Sequence, residues 1–491
     1  MPPDAPISPL TPRGWAMHVG LVAVAALLAG CTAMAPINPP LDAVQPQDGY
    51  RISTLLSRER GKELNTLVLL AFSGGGTRAA ALSYGVLEEL RRYKVIRERG
   101  EHTLLQEVDM ISGVSGGSFT ALAYAWMGER MFDQYEHRFL KRDVQGELIG
   151  RLLSPKYWPD LMSDRWGRSE MAADYYDDIL FDGATFNDLR ALKTPAVLVS
   201  GTDISTGARF EFSQETFDLL CSDVGAVRLA RAAATSSAVP VLLTPVTFRN
   251  YGGRCGSALP SWAAEVADPD NPVRPAGRAL LRYRDIKSLQ DSENRPYLHV
   301  IDGGVSDNLG LRGILEAFEE LEVSPTFRRE TGFDRIRHIL IIVVNSRSAP
   351  ESAWDRSPTP PGMVDQLLQS SSVPIDHYSY ESVELLKDTV FRWKTRRELA
   401  MVQLRLSGAT EAEAREAVPE VTFNAIDISF DAIADPEERR YFMTLPTTFV
   451  LPPEDVDRLR EIGGRLLRES AGFQILIKRG IRKAEPPGVP P

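Results

Sequence analysis

The chain has 491 residues, 43% hydrophobic and 25% charged, a balance that can bury one large core or two smaller ones and excludes a disordered polymer. A formal net charge of -10 opposes nonspecific nucleic-acid binding, because a phosphate backbone attracts a basic surface. Three cysteines are too few for a disulfide-stapled fold and are not spaced as metal ligands.

The first element is the apolar run 18–30, which ends at Cys31. It is long enough for the hydrophobic region of a secretion signal and too short to span a bilayer comfortably. Leu28-Ala29-Gly30-Cys31 resembles the bacterial lipobox, in which the cysteine is lipidated and becomes the mature N-terminus. Residues 1–30 are therefore expected to be a lipoprotein signal peptide. Several acyl chains at Cys31 would anchor the protein firmly, whereas one chain binds marginally at about 0.8 kcal/mol per buried methylene. Thr32 in place of an aspartate favours, by analogy with lipoprotein sorting, the periplasmic face of the outer membrane of a bacterial envelope over the inner membrane. Residues 31–65, with Pro36, Pro39, Pro40 and Pro46, lack a hydrophobic period and read as a tether. In an exported chain Cys221 and Cys255 can pair or remain two thiols, and count and compartment leave both readings open.

Residues 67–72 form a continuous apolar run, the pattern of a strand buried on both faces of a parallel sheet. It breaks at Ser73-Gly74-Gly75-Gly76-Thr77-Arg78, after which Ala80, Tyr84, Leu87 and Leu90 recur at helical spacing. Three glycines at a helix N-terminus let backbone N–H groups approach an anionic oxygen. A P-loop needs a Gly-Lys-Ser/Thr ending and a dinucleotide fold another glycine spacing, so nucleotide binding is disfavoured. A second strand-turn-helix unit follows, with Gly113-Val114-Ser115-Gly116-Gly117 at its turn. Flanking glycines Gly113 and Gly117 permit a tight bend that presents the Ser115 oxygen to solvent. A glycine-lined anion hole beside an exposed serine suits acyl transfer, where attack on an ester carbonyl creates a negative oxygen.

A serine needs a base. The candidate is Asp302, where the apolar strand pattern 297–301 ends in Asp302-Gly303-Gly304. The glycine loop, the serine turn and this aspartate each close a strand pattern, so they are expected to converge at the C-terminal edge of one open parallel sheet. The rival arrangement is a triad in which His338 or His377 follows the acid.

In this order the motifs resemble those of the patatin-like phospholipase family, over residues 66 to about 350. Thr202-Asp203-Ile204-Ser205-Thr206-Gly207 and Ala234-Thr235-Ser236-Ser237-Ala238-Val239-Pro240 are also similar to family stretches. The resemblance implies an α/β fold, a three-layer α/β/α hydrolase with a mostly parallel central sheet. It also implies a Ser-Asp dyad in which Ser115 is the nucleophile and Asp302 the base. Gly74, Gly75 and Gly76 would form the oxyanion hole, assisted by Arg78. Ser73 and Ala79 depart from the family's usual aspartate and glycine, and neither change removes a backbone donor. The expected activity is hydrolysis of acyl esters of phospholipids or related lipids, with no cofactor and no metal; no carboxylate cluster suits a calcium loop. Two other readings are a carboxylesterase or thioesterase acting on soluble esters, and a noncatalytic envelope lipoprotein.

Between the motifs, residues 131–171 are rich in aromatic and apolar side chains and read either as a lid or acyl-chain channel or as core packing. Residues 196–200 form a core strand, 249–295 a polar surface insertion, 309–321 a helix and 339–345 the last clear buried strand of the 66–350 catalytic domain. The remainder, 351–491, reads as a mainly helical extension packed on that domain, with a strand pattern at 421–430 and a helix at 453–467.

Overall fold

The computed structural model describes residues 38–57, 65–97, 100–163, 166–240, 242–270, 275, 277–349, 354, 358, 360–478 and 481–483. The expected signal peptide, 1–30, and the expected lipidation site Cys31 lie outside the described residues.

The core is a mixed sheet in the order β10-β9-β1-β4-β5-β8-β7, with β6 on β5. Its strands are β1 (Thr66–Phe72), β4 (Met110–Gly113), β5 (Ala196–Asp203), β6 (Arg209–Glu211), β7 (Val246–Arg249), β8 (Tyr297–Ile301), β9 (His338–Asn345) and β10 (Thr422–Ser429). The five from β10 to β5 are mutually parallel. Leu69, Leu70, Ile111, Val197, Ile341 and Ile342 are buried, so both faces of the parallel part are covered and its strands read as unbroken apolar runs. A small antiparallel sheet joins β2 (Tyr93–Arg97), β3 (Gly100–Thr103) and β11 (Ile481–Lys483).

Helices cover both faces. On one lie α1 (Gly76–Arg91), α2 (Gly116–Met127) and α3 (Leu229–Ser236). The other carries α5 (Arg312–Val323), which follows the one-turn α4 (Gly304–Asp307), and the helices Ser261–Ala267 and Gly277–Leu289. These last two fold the expected surface insertion onto the body, because Trp262, Val266, Ile286 and Leu289 are buried. Cys221 and Cys255 form a disulfide that ties the start of this insertion to the body.

Two boundaries differ from the sequence reading. The described part of the expected tether, 38–57, is docked. Tyr50 is buried, its hydroxyl accepting from Val197 N–H at 2.6 Å, and Arg51 pairs with Asp218 at 2.7 Å. Polar anchors hold this segment, so the absence of a hydrophobic period misled. The extension after 350 does more than pack on a finished domain. β10 pairs along the whole of β9, and the long helix α6 (Met363–Leu406) lies against α4. The last long helix, α7 (Pro453–Glu469), packs on α1 so closely that a Cβ at Gly85 would stand 2.1 Å from the Arg460 carbonyl oxygen. Gly85→Val is therefore expected to lower stability by about 1–3 kcal/mol, read as a fall in the urea midpoint; an unchanged midpoint would mean that α7 is not seated on α1.

Candidate active site

β1 delivers the glycine loop and β4 the serine turn, side by side, because Phe72 is paired with Gly113. Each strand feeds a helix, so the N-termini of α1 and α2 meet. A Cβ at Gly116 would lie 2.1 Å from the Gly76 carbonyl oxygen, so this contact is closed to any side chain. Gly113 and Gly117 are needed for the same reason at the base of the turn, Gly113 against the Gly117 carbonyl and Gly117 against the carbonyls of Phe72 and Ser73.

Ser115 caps α2 with φ 48° and ψ -121°. That conformation costs a non-glycine residue on the order of 1–3 kcal/mol and persists only where the surroundings over-determine it. Here its N–H donates to Ser236 Oγ at 2.9 Å, Ser236 Oγ donates to Ser200 O at 2.7 Å, and Ser118 Oγ donates to Ser115 O at 2.6 Å. The expected exposure at the tip of the turn is corrected: Ser115 is only 7% exposed. The glycine loop stands over it, a Cβ at Gly74 falling 3.3 Å from Ser115 Cβ.

The loop's glycines divide their roles. Gly74 N–H donates to the Asn308 carbonyl at 2.8 Å, so Gly74 supplies space and not a free proton. The N–H groups of Gly75 and Gly76 engage no acceptor among the described residues. Gly116 N–H, directly after the serine, is likewise unengaged. Gly75 has φ 135° and Gly76 φ 60°, a backbone path that side chains resist. The starts of two helices therefore meet beside Ser115, a setting that favours a negative oxygen.

Arg78 is corrected as an oxyanion donor. Its buried guanidinium donates to the carbonyls of Ser346 and Leu445 and to Thr447 Oγ1, bracing the loop from behind. Ser73 does related work: Ser346 Oγ donates to Gly74 O at 2.8 Å, and Ser346 N–H donates to Ser73 Oγ at 2.9 Å.

Asp302 arrives differently from the expected parallel convergence. Val199 is the β5 partner of Gly113, and β5 then continues through Ser200, Gly201, Thr202 and Asp203. β8 pairs antiparallel with that overhang, Ile301 opposite Thr202, and so runs back toward the serine. Asp302 is held there by its N–H to Ala238 O at 3.0 Å and by Thr202 Oγ1 donating to Asp302 O at 2.8 Å. One carboxyl oxygen, Oδ1, accepts from Gly304 N–H at 2.7 Å; the other, Oδ2, is buried with no formed hydrogen bond. Burial pushes the Asp302 pKa up to about 7, against the opposing pull of the Gly304 N–H and of the adjacent Ser115 hydroxyl.

Ser236, Asn308 and Ser346 were not singled out as site residues. Ser236 lies in a stretch noted for its family likeness, whereas Asn308 and Ser346 act through backbone contacts that leave no motif. His338 pairs with Thr66 at the start of β1, the end of the strand remote from the glycine loop. His377 lies on α6, and its side chain is outside the described residues. No group of three or more His, Cys, Asp or Glu among the described residues is arranged to hold a metal ion. In 131–171, Met131, Tyr135, Phe139 and Leu140 are core, and Phe139 stacks on Phe119 of α2 at 4.6 Å, while Leu153, Trp158 and Met162 are exposed.

A family model described as patatin-like phospholipase matches residues 70–315, half of the chain. Human GIVD cytosolic phospholipase A2 is a similar solved structure, with 13% identity and a TM-score of 0.43 over 87% of this chain and 62% of that one. The chain thus spans about three fifths of that human protein. The same human protein in complex with methyl gamma-linolenyl fluorophosphonate gives 12% identity and a TM-score of 0.40 over 87% and 61%. VipD from Legionella pneumophila gives 13% and 0.31 over 85% and 67%. No curated protein matches the sequence.

The raised Asp302 pKa has a consequence for stability. Between the unfolded pKa near 4 and the folded value near 7, the folded state holds a proton that the unfolded state has lost, so stability falls as pH rises through that window. Asp302→Asn removes the penalty. It is expected to gain on the order of 2–4 kcal/mol over wild type above pH 7 and little near pH 4, read from urea midpoints at the two pH values; a gain independent of pH would contradict the assignment.

Proposed function

The chain belongs to the patatin-like phospholipase family, and from that premise we propose that it is a lipid acyl hydrolase of the phospholipase A type, working through Ser115 and Asp302. The observation that carries the reading is the unengaged, buried Asp302 Oδ2 beside a serine held in a strained turn. Ser115 Oγ attacks the ester carbonyl carbon while its proton passes to Asp302 Oδ2. The carbonyl oxygen becomes an oxyanion facing the N–H groups of Gly75, Gly76 and Gly116, donors fixed before the reaction and therefore free of reorganisation cost. The tetrahedral intermediate collapses, the ester C–O bond breaks, and Asp302 returns the proton to the departing alkoxide. A water then delivers its proton to Asp302 and its oxygen to the acyl carbon, and fatty acid leaves as Ser115 regains its proton.

An aspartate with its ordinary pKa of roughly 3.9 is a weak base at neutral pH. Burial supports the role by bringing the proton affinity of Asp302 close to working pH, where general bases are most effective. Membrane attachment through lipidated Cys31 at the periplasmic face of a bacterial outer membrane fits a lipid substrate and belongs to the same proposal.

Intact-mass analysis after exposure to a fluorophosphonate tests the nucleophile. Wild type should gain one adduct that Ser115→Ala lacks entirely and that Asp302→Asn forms at least about a hundredfold more slowly; an unlabelled wild type would leave the noncatalytic reading. The same spectrum of protein extracted from membranes should start at Cys31 with acyl groups attached. In a second measurement, kcat/KM is expected to rise with pH to a plateau above an apparent pKa near 7, as Asp302 loses its proton. A limb near pH 4 would mean that this carboxyl is not the base. Short soluble esters turned over faster than phospholipid vesicles would favour the esterase reading.

A further inference from the structure

The face of the sheet beneath α5 holds a cleft of about 390 Å³ that includes neither Ser115 nor Asp302. Its walls are apolar: Leu69, Met110 and Leu198 from the strands, Ile314 and Phe318 from α5, and Trp262 from the inserted helix. The cleft is partly open to solvent, so a ligand can enter it. Its volume falls within the usual range of ligand sites, and at about 30 Å³ per methylene-sized unit it takes a chain of roughly a dozen carbons.

One end of the cleft is charged. Arg209 pairs with Glu211 and Glu316, and Arg282 pairs with Glu211 at 2.9 Å. Both guanidinium charges are thereby paired, while the Nε–H of each stays buried without an acceptor among the described residues. The carboxyl group of Glu320, which lines the same cleft, makes no hydrogen bond or ion pair with any described residue. Burial pushes its carboxyl up to about 8; Arg282 opposes the shift, and Glu316 and Glu211 add to it. Glu211 and Glu316 already balance the two guanidiniums, so a buried anionic head would find no spare countercharge, whereas a hydroxyl or other non-anionic head finds a carboxyl group free to hydrogen-bond.

We infer that this cleft is a second lipid site, binding a single-chain amphiphile with a non-anionic polar head, its alkyl chain along Leu69, Met110 and Ile314 and its head at Glu320. The site stands apart from the acyl-hydrolase reading and does not depend on it.

Trp262 in the wall supplies a local reporter. Titration of the delipidated full chain at neutral pH with 11-bromoundecan-1-ol, whose bromine quenches indole fluorescence, should give saturable quenching that disappears in Trp262→Phe. Ala317→Phe, which puts a ring into the cleft, should weaken binding at least about tenfold, while labelling of Ser115 by a fluorophosphonate stays at the wild-type rate. Should Ala317→Phe fold poorly, Ala258→Phe, at the exposed rim, is expected to act in the same direction. The carboxylate analogue 11-bromoundecanoate should bind at least about tenfold more weakly than the alcohol, and Glu320→Ala should narrow that preference. The proposal is overturned if the alcohol gives no saturable quenching, if it binds both cleft variants as tightly as wild type, or if the carboxylate binds as tightly as the alcohol.

Discussion

The candidate site rests on one close approach, the contact between the first residues of two helices. Gly116 comes so near the Gly76 carbonyl that a methyl group could not be accommodated, and this nearness brings the starts of both helices together beside Ser115. Parallel pairing of β1 with β4 in register, Phe72 opposite Gly113, makes the approach unavoidable. Much of the surrounding structure defends it: Ser346 and Arg78 grip the glycine loop from β9 and from the 445–447 segment, and Ser236 and Ser118 hold the serine turn.

Against this positive setting stands a buried carboxyl with one oxygen unsatisfied. Left alone, such a group is a defect costing on the order of 1–3 kcal/mol, and its natural response is to keep its proton. The fold accepts this cost through β8, whose antiparallel course on the overhang of β5 carries Asp302 back into the sheet beside the serine. The strained Ser115 backbone and the underused Asp302 carboxyl thus lie together, which is how stored strain is expected to gather at a reactive centre.

The C-terminal third is part of the same body. β10 finishes the sheet beyond β9, α7 covers α1, and carbonyls between them receive the Arg78 guanidinium. α6 meanwhile lies over the turn that follows Asp302, with Ser379 accepting from Asn308 Nδ2 at 3.3 Å. Loss of this region would expose the sheet edge and release the glycine loop together.

The sequence by itself determined the parts whose cause is local. Unbroken apolar runs gave the parallel strands, and Gly74 to Gly76 and Gly113 to Gly117 announced turns that only glycines can make. Order along the chain brought Ser115 and Asp302, 187 positions apart, into one proposal, because acyl transfer calls for a nucleophile and a base. Tertiary structure decided whatever depends on partners distant in sequence. That Gly74 spends its N–H on Asn308 and Arg78 its guanidinium on backbone carbonyls follows from which chain segments happen to pass. No residue pattern records it. Strand direction was equally invisible: a five-residue strand pattern reads alike whether β8 runs parallel or antiparallel, and only the overhang of β5 settles which. Residues 38–57 looked like a tether because their anchors, Tyr50 and Arg51, are single contacts with no period, and the charged cleft under α5 could not be foreseen because its walls come from strands and helices brought together only by the fold.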